Sequence, residues 1–304
     1  MTDQVRIVFM GSPDFAVPVL DALARNYPLV GVVTQPDRPA GRGGKPHPPA
    51  VKKSAVRLNI PYIQPEKLRH PEAMNQLHAW RPDLIVVAAF GQILRQEVLD
   101  MAPYGCINVH GSLLPRWRGA APIQASILAS DTETGITIMK MDAGVDTGPI
   151  LSQRAIAIAP KDTGVSLFNK LSLLGVDLLL EALPRYLSGE LIPAPQPGEG
   201  ATYAPRLARE DGRLDFTRSA LELERCVRAY DPWPGAWLEW KGAPLKILHA
   251  RVSEVGSTGP GLRLTISGNP ALGTGNGTLI LEEVQPAGKK VMAGKAFLLG
   301  ARDW

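Results

Sequence analysis

Cysteine is nearly absent: Cys106 and Cys226 are the only two in 304 residues, far apart and without metal-ligand spacing. A disulfide framework and a zinc site are therefore not expected, no metal is called for, and each cysteine is expected to be a buried thiol. Long apolar runs are also missing. No stretch approaches the ~20 apolar residues that span a bilayer, so no membrane segment is expected. Residues Met1 to Arg6 lead straight into an apolar strand, with neither a signal peptide's hydrophobic stretch nor an Arg- and Ser-rich transit peptide. The expectation is a cytoplasmic monomer. Charge of one sign is scarce as well, since a formal +4 permits an anionic partner without demanding one. Finally, Phe9-Met10-Gly11-Ser12-Pro13-Asp14 follows a strand and opens a helix but lacks the glycines of G-x-G-x-x-G. A dinucleotide site is thus disfavoured, and a strand-to-helix turn with Pro13 at the helix start is the better reading.

What is present is an alternation of short β-branched runs with helical patterns. Val5–Met10, Leu29–Thr34, Leu84–Phe90, Ile107–Val109 and Ile136–Met141 read as strands of βαβ units around a parallel sheet. Thr163–Leu187 carries leucines at helical spacing behind a capping threonine. Ile192–Gly200 is too rich in proline and glycine for a regular element and reads as a linker. Beyond it, a helix at Ser219–Tyr230 precedes short strands at Ala236–Trp240, Leu245–Val252, Leu262–Ser267 and Thr278–Val284. The expected fold class is α/β, with a Rossmann-like parallel-sheet domain over residues 1–190. A linker over 191–208 and a smaller OB-like β-barrel domain over 209–304 would follow.

The most informative segment is Ile107-Asn108-Val109-His110-Gly111-Ser112-Leu113-Leu114-Pro115. A period of two puts Asn108 and His110 on one face near the carboxyl end of a strand, where open α/β sheets bind ligands. A second polar loop, Met141-Asp142-Ala143-Gly144-Val145-Asp146-Thr147-Gly148-Pro149, again follows a strand, and its glycines allow it to aim Asp146 back at His110. An amide, an imidazole and a carboxylate together offer an oxyanion donor, a proton carrier and a group that orients it. Ser112 belongs more naturally to the following turn than to a nucleophile pair, so direct transfer to an external nucleophile is preferred over a covalent enzyme intermediate.

These residues, extended through Arg116-Trp117-Arg118-Gly119-Ala120-Ala121-Pro122-Ile123-Gln124 and joined to Asp146-Thr147-Gly148, resemble the folate-dependent formyltransferase superfamily. Within it, the chain is similar to the branch that acts on methionyl-tRNA, through Gly11–Phe15, Thr34–Lys45, Arg225–Pro234 and Gln285–Lys290. The resemblance implies that Asn108, His110 and Asp146 form the catalytic set and that 10-formyltetrahydrofolate is the donor. It also implies that Ser112, Leu113, Leu114 and Pro115 contact the folate. Phe90, Gly91, Gln92, Ile93 and Leu94 would flank the pterin from one side, and Met141, Asp142 and Val145 from the other. An apolar slot edged with main-chain amides suits such a ring.

The same resemblance gives a task to the insertion after the second strand, Gln35 to Pro49, which carries Arg38, Arg42 and Lys45. In the family the matching loop, including the arginine that corresponds to Arg42, enters the acceptor end of initiator tRNA. The match runs through Thr34–Gly43 and departs at Gly44 and His47-Pro48-Pro49. Arg225, Arg228, Lys246, Lys289 and Lys290 are candidates for a sequence-independent phosphate surface. Two other readings compete: a folate-dependent transferase for a small amine, which has no need of the arm, and a non-catalytic RNA-binding protein, which has no need of Asn108, His110 and Asp146.

Overall fold

The computed structural model describes residues 5–40, 45–253, 259–301 and 303–304, with side chains at 40 and 45 outside that description. Arg42 lies outside the described residues, and Lys45 is described by its backbone alone. Chain contacts define two compact units. The first takes the residues up to Pro122, then Thr134–Ile156 and Phe168–Ala204; the second takes Ile123–Glu133, Ala157–Leu167 and the residues from Pro205 on.

In the first unit, β1 (Ile7–Gly11), β2 (Leu29–Val33), β5 (Tyr62–Ile63), β6 (Leu84–Ala88), β7 (Cys106–His110), β9 (Glu133–Lys140) and β10 (Ile150–Ala157) form one sheet. The short β3 (Arg38–Ala40) and β4 (Lys45–His47) pair as an antiparallel hairpin, and β8 (Arg118–Gly119) pairs with β11 (Tyr203–Ala204). Sheet order is β10-β9-β7-β6-β1-β2-β5, with helix α1 (Val17–Asn26) between β1 and β2 in the chain and α2 (Ala50–Arg57) before β5. Strands β5, β2, β1, β6 and β7 run parallel, as the alternating pattern predicts. At β9 the direction reverses: Lys140 lies opposite Ile107 and Thr137 opposite His110. The expectation of a parallel partner at Ile136–Met141 is thus corrected. The link from β7 to β9 carries α5 (Pro122–Leu128), and the apolar run at Ile136–Met141 does not itself report strand direction.

Strands β1, β6 and β7 are buried along their whole length, which is why they read as unbroken Val- and Ile-rich runs. One face of the sheet holds Val8, Met10, Ile85, Val87 and Cys106 in an apolar cluster with Met74 and Leu77 of α3 (Pro71–Trp80) and with Val98 and Leu99 of α4 (Gln96–Leu99). The other face meets α6 (Gly164–Leu187), where Gly175 leaves so little room that an added Cβ would sit 2.9 Å from Val109. Alternation along β7 therefore sends Ile107 and Val109 toward α6 and turns Cys106, Asn108 and His110 toward the α3/α4 side.

The second unit is built on an antiparallel sheet of β12 (Ala236–Trp240), β13 (Ala243–Ser253), β16 (Thr278–Pro286), β15 (Asn269–Gly273) and β14 (Arg263–Ile266), in that order, with β17 (Met292–Ala293) beside β16. Helix α7 (Ala220–Ala229) starts at a reciprocal cap in which Glu222 N–H donates to Ser219 Oγ at 3.3 Å and Ser219 N–H donates to Glu222 Oε2 at 2.9 Å. Helix α8 (Gly294–Gly300) closes the chain, with Phe297 stacked edge-on between Trp240 and Trp304.

Candidate active site

Asn108 and His110 sit two residues apart on β7, 9 % and 5 % exposed. Because β9 runs antiparallel, the loop that begins at Met141 starts level with Cys106, whose carbonyl accepts from Met141 N–H at 2.8 Å. The loop then returns along β7. Asp146, in the left-handed region at φ 52°, brings its carboxylate to both polar side chains. Asn108 Nδ2 donates to Asp146 Oδ1 at 3.4 Å, and His110 Nδ1 lies 3.6 Å from Asp146 Oδ2. The three side chains singled out in the sequence thus meet in one place.

Sequence reasoning missed what holds them. His110 Nε2 is 2.9 Å from the carbonyl oxygen of Trp117. A carbonyl only accepts, so Nε2 carries the hydrogen and Nδ1 keeps its lone pair in the neutral ring. Ser112 Oγ donates to Arg116 O at 2.6 Å and shapes the turn that presents Trp117 O. Thr137 Oγ1 ties the turn to β9, donating to Ser112 O at 2.6 Å and accepting from Leu114 N–H at 3.0 Å. Asp146 Oδ2 accepts from Gly119 N–H at 2.8 Å. Gly119 is required there: its φ is +109°, and a Cβ would lie 2.6 Å from Ala204 O.

Gln196 fixes the other side of the Asp146 loop. Its Nε2 donates to the carbonyls of Asp146 and Gly148, both at 2.8 Å, while its Oε1 accepts from Arg118 Nε at 3.1 Å and Nη2 at 2.7 Å. The stretch Ile192–Gly200, read as a linker, is irregular but docked: Ala194 exchanges two backbone hydrogen bonds with Ile150. Nearby, Trp117 N–H donates to Thr202 Oγ1 at 2.9 Å. Composition carried no sign of this, because a proline-rich segment looks the same whether it is docked or free.

The residues expected to flank a ring ligand come together in part. Phe90, Leu94 and Met141 share the apolar cluster on the α3/α4 side, while Ile93 is 80 % and Val145 53 % exposed. Phe90 O accepts from Gln35 Nε2 at 3.1 Å, and Asp142 Oδ1 accepts from Gly144 N–H and Thr147 Oγ1, so both loops are ordered by their own bonds. Gln92 faces the turn at Pro65 to Leu68 and hydrogen-bonds it. Leu114 is buried, Leu113 and Pro115 half-buried, and Gly91 takes φ +80°.

Among the basic candidates, Arg38 is exposed and lies 3.6 Å from Glu66. Arg228 is committed elsewhere, donating from Nε to Glu224 at 2.7 Å and from Nη1 to Asp162 O at 2.9 Å with its side chain 19 % exposed. Its bonds brace the second unit. Lys246, Lys289 and Lys290 are exposed at one end of the second sheet, where Lys246 pairs with Gln285 and Gln285 Nε2 donates to Lys289 O. Arg225 is half-buried on α7. No group of His, Cys, Asp and Glu among the described residues has the geometry of a metal site, and no helix there is long and apolar enough to cross a membrane.

Residues 5–183 match the family described as Formyl transferase, and residues 206–302 match Formyl transferase, C-terminal domain. The chain belongs to the formyl transferase family. It is 50 % identical over 297 residues to the methionyl-tRNA formyltransferase of Myxococcus xanthus, covering 97 % of this chain and 95 % of that one. The methionyl-tRNA formyltransferase of Roseiflexus castenholzii is 48 % identical over 302 residues, 98 % of this chain and 96 % of its own. Among solved structures, a sugar 3N-formyl transferase, WlaRD, crystallised with dTDP and 5-N-formyl-THF, superposes with TM-score 0.68 at 18 % identity, over 94 % of this chain and 99 % of that one. The methionyl-tRNA formyltransferase of Clostridium thermocellum gives TM-score 0.58 at 17 % identity, over 83 % and 95 %. These structural likenesses speak for the formyl transferase fold, and the closer sequences extend the match along nearly the whole chain.

Proposed function

We propose that this chain transfers the formyl group of 10-formyltetrahydrofolate to the amino group of methionyl-tRNA, acting as a cytoplasmic monomer. Residues 1–190 would carry the chemistry, 191–208 would connect, and 209–304 would add RNA contacts. The observation that carries the reading is an imidazole with Nε2 tied to Trp117 O and Nδ1 left beside the Asp146 carboxylate, which also accepts from the Asn108 amide. The near-full-length relatives named methionyl-tRNA formyltransferase support the choice of amine.

In this reading the substrate amine attacks the formyl carbon directly, through a tetrahedral intermediate. Asn108 uses its second amide hydrogen to hold the developing oxyanion, a contribution of a few kcal/mol for one such donor. His110 Nδ1 takes the proton the amine loses. Asp146 stabilises the imidazolium that forms, and the same proton then goes to N10 as the carbon–nitrogen bond breaks. One C–N bond forms, one breaks and one proton moves, so the protein ends as it began. Phe90–Leu94, Met141, Asp142, Val145 and the Ser112–Pro115 turn hold the donor. Arg38, Arg42 and Lys45 meet the acceptor end of the tRNA, and Arg225, Lys246, Lys289 and Lys290 add phosphate contacts, while the partners of Arg228 favour a bracing task.

Incubation with 10-formyltetrahydrofolate and either methionyl-tRNA or small amines tests this directly. Formyl incorporation into methionyl-tRNA is expected; formylation of small amines with methionyl-tRNA untouched, or RNA binding without transfer, would count against it.

A further inference from the structure

The turn that holds both His110 and Asp146 is itself held by Thr202, within the stretch 191–208 whose composition marks it as a connection. Three hydrogen bonds join them. Thr202 N–H donates to Pro115 O at 3.3 Å, Trp117 N–H donates to Thr202 Oγ1 at 2.9 Å, and Arg118 N–H donates to Thr202 O at 2.9 Å. The grip continues across β8 and β11, where Ala204 O accepts from Ala120 N–H at 2.8 Å. Most of these bonds are made by main chain and would survive almost any residue at 202. The bond to Oγ1 needs a hydroxyl there.

Trp117 needs such a hold. Its φ of 62° lies in the left-handed region, which a bulky side chain enters only where its surroundings fix it. In a trans peptide the carbonyl and the following N–H point to opposite sides. Arg118 N–H is turned to Thr202 O, so Trp117 O is turned the other way, where His110 Nε2 lies 2.9 Å off. The bond from Trp117 N–H to Thr202 Oγ1 pins the same residue from its other end. A rotated 117–118 peptide would take the acceptor away from Nε2. The ring hydrogen could then move to Nδ1, where the Asp146 carboxylate accepts it, and the lone pair that takes the proton of the amine would be lost. We infer that Thr202 is a positioning residue for the transfer: its hydroxyl oxygen holds Trp117 in the conformation that keeps the hydrogen of neutral His110 on Nε2. The inference rests on the proposed reading that Nδ1 of His110 carries the proton.

The test pairs turnover with the ¹⁵N NMR shifts of the His110 ring nitrogens in the full chain, assigned by their loss in His110→Gln and read where titration shows the ring neutral. The unmodified protein should show Nε2–H. Thr202→Val keeps the shape of the side chain and removes the acceptor. It should move the ring toward Nδ1–H and lower kcat for methionyl-tRNA by up to about 10²-fold, with KM for both substrates unchanged. Thr202→Ser, which keeps the oxygen, should restore Nε2–H and most of the turnover. Should Thr202→Val fail to fold, Thr202→Ala is read in the same way. Nδ1–H in the unmodified protein overturns the inference, as does a Thr202→Val that loses stability in denaturant but keeps its kcat, or an equal loss of turnover in Thr202→Ser. If the unmodified chain transfers nothing to methionyl-tRNA, the proposed function falls, while the comparison of tautomers still decides whether Thr202 sets the ring.

Discussion

A backbone carbonyl fixes the imidazole of His110, and that detail sets the direction in which a proton can travel. With Nε2 held by Trp117 O, only Nδ1 is left to accept, and it faces Asp146 Oδ2 at 3.6 Å. Asn108→Ala should lower turnover by about 10²- to 10³-fold, the usual cost of one oxyanion donor, with methionyl-tRNA affinity unchanged by filter binding. Gln196→Ala should free the Asp146 loop from both carbonyl contacts. A displacement of about 1 Å at the reacting groups costs up to about 10²-fold. That loss should appear in kcat with an altered pH profile, whereas a purely structural role would lower stability and leave the profile in place. Burial pushes the Cys106 thiol up to about 12, with Asp100 adding to it, and burial also raises Cys226. Neither should react with a thiol reagent at neutral pH until the protein unfolds. Asn108 and His110 were legible because a strand's period is two. Trp117 O was not, because a carbonyl leaves no mark in the sequence.

At the level of elements, most runs rich in β-branched and apolar residues were legible, and the elements that were missed have mixed or interrupted sequences. β1, β2, β6 and β7 follow their β-branched runs closely, and α6 begins where Thr163 accepts from Ser166 N–H. β10 was missed because Ile150–Ala157 alternates burial along a mixed sequence, and β15 because Asn269–Gly273 holds both proline and glycine. The reversal at β9 leaves no mark in the hydrophobic pattern, because a strand buried in the sheet shows the same apolar run whichever way it points. Helix α7 offers a clean energetic test. Ser219→Ala removes the side-chain cap and should cost about 1 kcal/mol in denaturant unfolding. Hydrogen bonds from Ser219, with a smaller contribution from Arg218, hold Glu222 at about 2, below its ordinary 4.5. A depressed carboxylate stabilises the fold above its unfolded pKa. The contribution is therefore present above about 4.5 and lost as pH falls toward 2. Glu222→Gln should flatten the stability profile across that window.

For the molecule as a whole, composition excluded far more than it identified. A charge of +4 spread over 304 residues does not announce an RNA substrate; what the structure adds is that Arg38, Lys246, Lys289 and Lys290 are all exposed. Methionyl-tRNA binding should weaken steeply with added salt, and Lys289→Ala with Lys290→Ala should reduce that slope while leaving folate binding in place. The central claim joins this RNA substrate to the chemistry at β7. It is tested most directly by following radiolabelled formyl incorporation into methionyl-tRNA by the unmodified chain and by His110→Ala at saturating substrates. Transfer by the former and a fall of about 10²- to 10⁴-fold in the latter, with tRNA affinity retained, is the predicted result; equal rates, or no transfer by either, would contradict it.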